Sequence, residues 1–168
     1  MISLEPLHLR HLPLLHRWLQ QPHVQAFWDD GDRTLELVEQ HYFGPDRAQE
    51  AFILSEREQP FGYLQLDPVG PDDPLAAWRA DQGETWALDL LIGEADRTGQ
   101  GLAARSIGTL LGSWPQRHPH CRRLLTDSDV RNGRALRAWQ KAGFRPLGPA
   151  TLDGYEALMM AYDLKQWL

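Results

Sequence analysis

The segment Trp86-Ala-Leu-Asp89-Leu-Leu-Ile92 runs into Gly93-Glu-Ala-Asp-Arg-Thr98-Gly99-Gln100-Gly101 and from there into an apolar-periodic stretch, Leu102 to Trp114. An almost continuous apolar run of this length describes a strand covered on both faces. The recurrence of Leu102, Ile107, Leu110 and Leu111 describes a helix. A strand, a glycine-rich turn and a helix in that order leave several backbone amides free at the positive end of the helix dipole. Such an arrangement is an anion site. Asp89 interrupts the apolar strand, and a carboxylate there costs several kcal/mol unless it is paired, hydrated or open to a cleft.

The flanking sequence builds a mixed α/β sheet around this unit. Ile2 and Leu4 predict a short first strand, and the spacing of Leu9, Leu12, Leu15, His16 and Leu19 predicts a helix from Leu9 to Gln20 that ends before Pro22. A second helix is expected from Thr34, its cap, to Phe43. Ala51 to Glu56 and Phe61 to Leu66 read as a hairpin. Asp67 to Gly83 reads as an acidic surface loop carrying Trp78. Beyond the long helix come a strand, Arg122 to Thr126, then Asp127-Ser-Asp129-Val-Arg-Asn132, and a helix from Gly133 to Ala142 that Gly143 closes. Phe144 to Leu147 and Tyr155 to Tyr162 are the last strands, joined through the hairpin turn Asp153-Gly154.

Composition limits the partners. The chain has 168 residues and a formal net charge of −6, which disfavours a phosphate-backbone ligand, so no nucleic acid is expected. That length reads as one domain over residues 1–168. A single cysteine, Cys121, makes no internal disulfide, and a reducing cytoplasm is the natural compartment. The amino terminus lacks the features of a signal peptide and no apolar run reaches a membrane span, so a soluble protein away from membranes is expected. The seven histidines lack ligand spacing. His118 and His120 near Cys121 come nearest to a cluster, and no metal site is expected.

Two motifs then carry a resemblance. Thr98-Gly99-Gln100-Gly101-Leu102-Ala103 and Asn132-x-x-Ala135-x-x-x-Trp139-x-x-x-Gly143-Phe144, following the strand at Trp86, resemble the acetyl-CoA site of the GNAT acyltransferase superfamily. Within it the chain is most similar to aminoglycoside 6'-N-acetyltransferases and the related siderophore-biosynthesis acetyltransferases. Arg17-Trp18-Leu19, His23-Val24 through Phe27-Trp28, Gly62-Tyr63, Ala87-Leu88-Asp89 and Thr126-Asp127 fall in the expected order over essentially the whole chain. Two departures stand out. Thr98 occupies a place where the superfamily usually has Gln or Arg, and Trp139 one where many members have Tyr.

The resemblance implies a mostly antiparallel sheet with one splayed parallel strand pair, Trp86 to Ile92 and Arg122 to Thr126, and flanking helices. It implies acetyl-CoA as co-substrate, held by Leu91, Ile92, Thr98, Gly99, Gln100, Gly101, Leu102, Ala103, Asn132, Ala135 and Trp139, with backbone amides around Leu91 facing the acetyl carbonyl. A backbone amide does not depend on its side chain, so Thr98 leaves the main-chain contacts in place. An indole N–H donates but releases no proton, so Trp139 would hydrogen-bond the thioester sulfur without protonating it. Asn132 alternatively caps the helix that follows it.

Acetylating an amine requires a neutral nucleophile, a thioester held in line and a stabilised oxyanion. Asp89 is the candidate base, acting directly or through a water. Asp127 is a second candidate or, alternatively, a site for a cationic amine. Two carboxylates beside a cleft favour a polycationic acceptor, each close pair being worth about 1 to 4 kcal/mol. Trp28, Asp30, Trp78, Trp86 and Asp129 are the expected acceptor contacts, the tryptophans being alternatively packing residues. The expected function is acetyl transfer to a primary amine of a small polycationic molecule in a ternary complex, by a monomer or homodimer. The alternatives are acetylation of an N-hydroxylysine side chain in siderophore assembly and a non-catalytic acyl-CoA-binding sensor.

Overall fold

The computed structural model describes residues 1–165. In chain order it contains β1 (Ile2–Pro6), α1 (Leu12–Leu19), α2 (Pro22–Gln25), α3 (Leu35–Phe43), β2 (Glu50–Glu56), β3 (Gln59–Pro68), β4 (Glu84–Ile92), α4 (Leu102–Arg117), β5 (Cys121–Asp129), α5 (Gly133–Lys141), β6 (Arg145–Leu152) and β7 (Tyr155–Asp163). The strands form one sheet in the order β1-β2-β3-β4-β5-β7-β6. Every neighbouring pair is antiparallel except β4 and β5. This is the mixed sheet with one parallel pair that the sequence predicts.

The two faces of the sheet carry different helices. On one face α4 and α5 deliver Leu102, Ile107, Leu110, Trp114 and Trp139 onto Leu64, Leu66, Leu88, Leu124 and Met160. On the other, α1 to α3 deliver Leu15, Trp18, Val24, Val38 and Tyr42 onto Ile53, Tyr63 and Leu91. A small third cluster, Val69, Leu125 and Ala161 with Trp78 and Ala87 against it, continues that second face beneath the loop after β3. Burial on both sides is what makes β4 read as a nearly unbroken apolar run.

Several boundaries move for local reasons. The first helix begins as a 3-10 turn, Leu9–His11, because Pro13 fits the first turn of a helix but not its interior. Pro22 likewise opens the short α2 rather than merely ending its predecessor. Thr34 caps α3 as predicted, its hydroxyl accepting from the Leu37 amide at 3.1 Å. The Asp153-Gly154 turn has both residues at positive φ, 45° and 82°, as a two-residue hairpin requires. Two strands run past their expected ends: β6 continues through Leu152 instead of stopping at Leu147, and β5 continues through Asp129 instead of stopping at Thr126. Asp127 and Asp129 therefore lie in the sheet rather than in a loop.

Candidate active site

The parallel pair comes apart partway along. β4 and β5 pair from Glu84 opposite Cys121 to Ala87 opposite Leu125 and no further, although both strands continue. β3 stays paired with β4 as far as Gly62 opposite Ile92, and β7 with β5 as far as Asp129 opposite Ala157. Each strand keeps its outer neighbour and loses its inner one, which opens a notch in the middle of the sheet. Strand groups alternate in direction. Thr85 accepts from Val69 and the Gly93 amide donates to Phe61, so the odd-numbered residues of β4 face β3, while the Glu84 amide faces His120 before β5. The groups that line the notch are thus those of Leu88, Leu90 and Ile92. Of the two residues expected here, Ile92 thus presents its amide to the notch, together with Leu90, while that of Leu91 faces β3. His23 closes the end by donating from Nε2 to the Ile92 carbonyl at 2.9 Å.

Asp89 and Asp127 are each the second residue beyond the last pair, Ala87 with Leu125. By the same alternation they share one face of the sheet, on opposite lips of the notch. Burial first, and then the neighbouring Asp127, push the Asp89 carboxyl up to about 7; a hydrogen bond from Gln65 works against both. Gln65 stands opposite Asp89 in β3 and donates from Nε2 to Oδ2 at 3.4 Å. Its own amide is oriented by the Tyr63 hydroxyl, which donates to Oε1 at 2.8 Å. Asp127 is held differently: the Tyr155 hydroxyl donates to its Oδ2 at 2.6 Å. At neutral pH Asp89 is therefore poised between its two protonation states, as a general base for an amine should be.

An aromatic wall stands over this floor. Trp28 donates from Nε1 to the Tyr42 hydroxyl at 2.9 Å and meets Tyr63 edge-on at 6.1 Å, and Tyr42 meets Tyr63 edge-on at 5.6 Å. Asp30 lies against Tyr42, and partial burial raises its carboxyl above the usual range. Asp32 and His41 complete a cluster with Asp30, their ligand atoms all within 4.8 Å of one another.

The glycine turn is the third part. Gly99 and Gly101 sit at φ +73° and +75°, where an L side chain is strained, and Gly101 is the N-cap of α4 with no side chain capping the helix. The first amides of α4 accordingly lack a side-chain acceptor. Thr98 and Gln100 turn inward, donating to the Ala95 and Asp96 carbonyls, each at 2.9 Å.

Residues 8–152 match the family model described as an acetyltransferase (GNAT) domain. The chain belongs to the GNAT acetyltransferase family. The aminoglycoside N(6')-acetyltransferase type 1 of Klebsiella pneumoniae is 28% identical over 155 residues, covering 89% of this chain and 76% of that protein. The crystal structure of aminoglycoside acetyltransferase AAC(6')-Ib in complex with coenzyme A superposes with a TM-score of 0.82 at 26% identity, over 97% of this chain and 95% of that one. AAC(6')-Ib in complex with coenzyme A and kanamycin gives the same TM-score at 25% identity, over 97% and 95% of the two chains.

In this GNAT acetyltransferase three features suit coenzyme A. The uncapped amides after Gly101 suit a diphosphate, and the free edge of β4 suits an amide-bearing arm added like a strand. The Thr126 hydroxyl, on the first β5 residue past the last pair, is buried without a partner among the described residues. The acetyltransferase also redistributes the predicted residues. Trp86 is 2% exposed and packs edge-on against Trp114 at 5.1 Å, on the helical face opposite Asp89, so it is core and not an acceptor contact. Trp78 packs beside Leu125 and Ala87, which lie on the face that carries the two aspartates, two residues before them along the strands. Asp129 follows Asp127 on the same face, but Arg131 binds it at 2.6 Å and holds it down to about 2. That carboxylate is committed to the turn after β5 and leaves the acceptor set. Asn132 caps α5, accepting from the Ala135 amide at 3.2 Å. Trp139 is 7% exposed, against Phe144 at 5.0 Å. Gln65, Tyr63, Tyr42 and Tyr155 join the site without having been predicted. Their advance signals were the Gly62-Tyr63 pair quoted in the resemblance and a polar residue in an apolar strand at Gln65.

Proposed function

We propose that this acetyltransferase moves the acetyl group of acetyl-CoA onto a primary amine of an aminoglycoside, at the 6' nitrogen, by direct attack within a ternary complex. The observation that carries this reading is the pair Asp89 and Asp127 on opposite lips of the notch. One of them titrates near neutrality, and the other is hydrogen-bonded by the Tyr155 hydroxyl. An aminoglycoside brings several ammonium groups, and a site with two carboxylates under an aromatic wall meets them with charge and with ring faces. The kinship with aminoglycoside N(6')-acetyltransferases supports the same acceptor class.

The coenzyme would supply an activated acyl carbon, and the chain supplies everything around it. Asp89, ionised, takes a proton from the acceptor ammonium and frees its lone pair. The edge amides of Leu88, Leu90 and Ile92 are the donors available for the charge that develops on the acyl oxygen. Asp127, with Tyr155 behind it, holds a second ammonium and thereby orients the first. That first proton leaves Asp89 for solvent before attack; as the nitrogen–carbon bond forms and the carbon–sulfur bond breaks, the second proton shed by the nitrogen passes through Asp89 and water to the departing thiolate.

Thiol release assayed with kanamycin as acceptor tests the proposal. Acetyl transfer to the 6' nitrogen, located by NMR of the product, is the expected result. Transfer to N6-hydroxylysine alone, or coenzyme binding without transfer to any amine, overturns it.

A further inference from the structure

The glycine turn carries Thr98 where the family usually has Gln or Arg, and its nearby arginines are already engaged. Thr98 donates to the Ala95 carbonyl. Arg97 is bound to Glu56 at 2.7 Å and to Gln100 at 3.2 Å, with its guanidinium over the Phe61 ring. Arg105, one turn into α4, is bound to the other oxygen of Glu56 at 2.6 Å. Glu56 thus engages both arginines nearest the turn, one carboxylate shared between two guanidiniums.

Positive charge arrives instead from α5. Arg134, Arg137 and Lys141 are spaced i, i+3, i+7 and share one face of that helix. None of the three has a carboxylate partner among the described residues. Arg137 leans on Gly133 at the start of its own helix, with Nη1 3.2 Å from where a Cβ would stand. The other two meet the turn. A Cβ placed on Gly99 would lie 4.0 Å from the Arg134 guanidinium carbon, and one placed on Gly101 would lie 3.5 Å from Lys141 Nζ. The two residues whose backbone bends to expose amides are the two that α5 covers with unpaired cations. An exposed cation with no counter-ion, held over uncapped helix amides, adds charge to the place where the helix dipole already favours an anion.

We infer that Arg134 and Lys141 form the cationic half of the coenzyme's diphosphate site, supplying from the neighbouring helix the charge that Thr98 cannot supply from the turn. This rests on the reading that the turn binds coenzyme A. It adds a guanidinium and an ammonium to a site otherwise made of backbone.

Calorimetric titration of coenzyme A and of dephospho-coenzyme A, which keeps the diphosphate and lacks the 3'-phosphate, tests it on the purified chain. Arg134→Gln and Lys141→Gln are each expected to weaken coenzyme A by about three- to tenfold, and the double variant by about ten- to a hundredfold, with a flatter salt dependence. Dephospho-coenzyme A should lose affinity by the same factors. Adding Thr98→Arg to the double variant should recover most of the loss, and Arg134→Lys with Lys141→Arg should bind like the native chain. Double-variant affinity within about twofold of the native value overturns the inference. So does a loss seen with coenzyme A but absent with dephospho-coenzyme A, which would move the cations to the 3'-phosphate. If the native chain itself gives no heat with coenzyme A, the coenzyme reading of the turn falls as well.

Discussion

Asp89 changes charge across the pH range in which the protein would work, and this has two measurable effects. As a base it must be ionised, so kcat/KM should rise with pH and level off above about 7. Asp89→Asn should lower kcat/KM by about 10²- to 10³-fold and remove that limb from the pH profile. The effect on stability runs the other way. The folded carboxyl titrates at about 7 against 3.8 for an unperturbed one, so its contribution is fully present below 3.8 and is lost as pH rises towards 7. In urea titrations the variant should therefore gain on the native chain between pH 5 and pH 8, by on the order of 1–3 kcal/mol. Trp139 offers a contrast, since its indole is packed against Phe144. Trp139→Phe should change kcat by no more than about threefold while costing on the order of 1 kcal/mol of stability; a loss in kcat matching that of Asp89→Asn would contradict this role. Asp89 was legible in the sequence because a carboxylate in an apolar strand demands a reason. The roles of Gln65 and Tyr155 were not legible, because they come from strand register and from a β7 side chain reaching β5, two strands far apart in sequence.

Among the elements, the join between β4 and α1 is the most tightly fitted. Gly93 follows β4 with its amide on the Phe61 carbonyl at 2.8 Å, and a Cβ there would fall 2.1 Å from the Trp18 ring. Trp18 cannot step aside, because it is fully buried and its Nε1 donates to Glu94 at 2.9 Å. Gly93→Ala is expected to cost about 2–3 kcal/mol, read as a lower urea midpoint with an unchanged slope. Every strand and every helix except the short α2 was legible, since apolar periodicity carries element existence and four residues are too few to show it, and the splayed pair followed from the resemblance. Boundaries failed where polar residues sit in strands. Asp127, Ser128 and Asp129 look like a loop, but β7 pairs with each of them. The direction of individual backbone groups was also out of reach, which is why Leu91 was named with Ile92 while Leu88 and Leu90 were not.

Over the whole molecule, a net charge of −6 and the acidic notch act in the same direction on a cationic acceptor. KM for an aminoglycoside should rise about three- to tenfold between low and physiological ionic strength with little change in kcat, whereas an uncharged amine of similar size should show no such trend. The notch also divides the sheet mechanically. The four strands β1 to β4 and the three strands β5 to β7 are joined by the short ladder from Glu84 to Ala87, and beyond it two half-sheets stand side by side. A ligand lying in the gap would stitch the halves together as a temporary eighth strand. Amide protons of Leu88, Leu90 and Ile92 should then exchange with deuterium much more slowly once coenzyme A is added, while those of β1 and β6 at the outer margins keep their rates. The protein would be stiffest along its centre line only while loaded, so the act of releasing product would loosen the seam on which the next round of assembly depends.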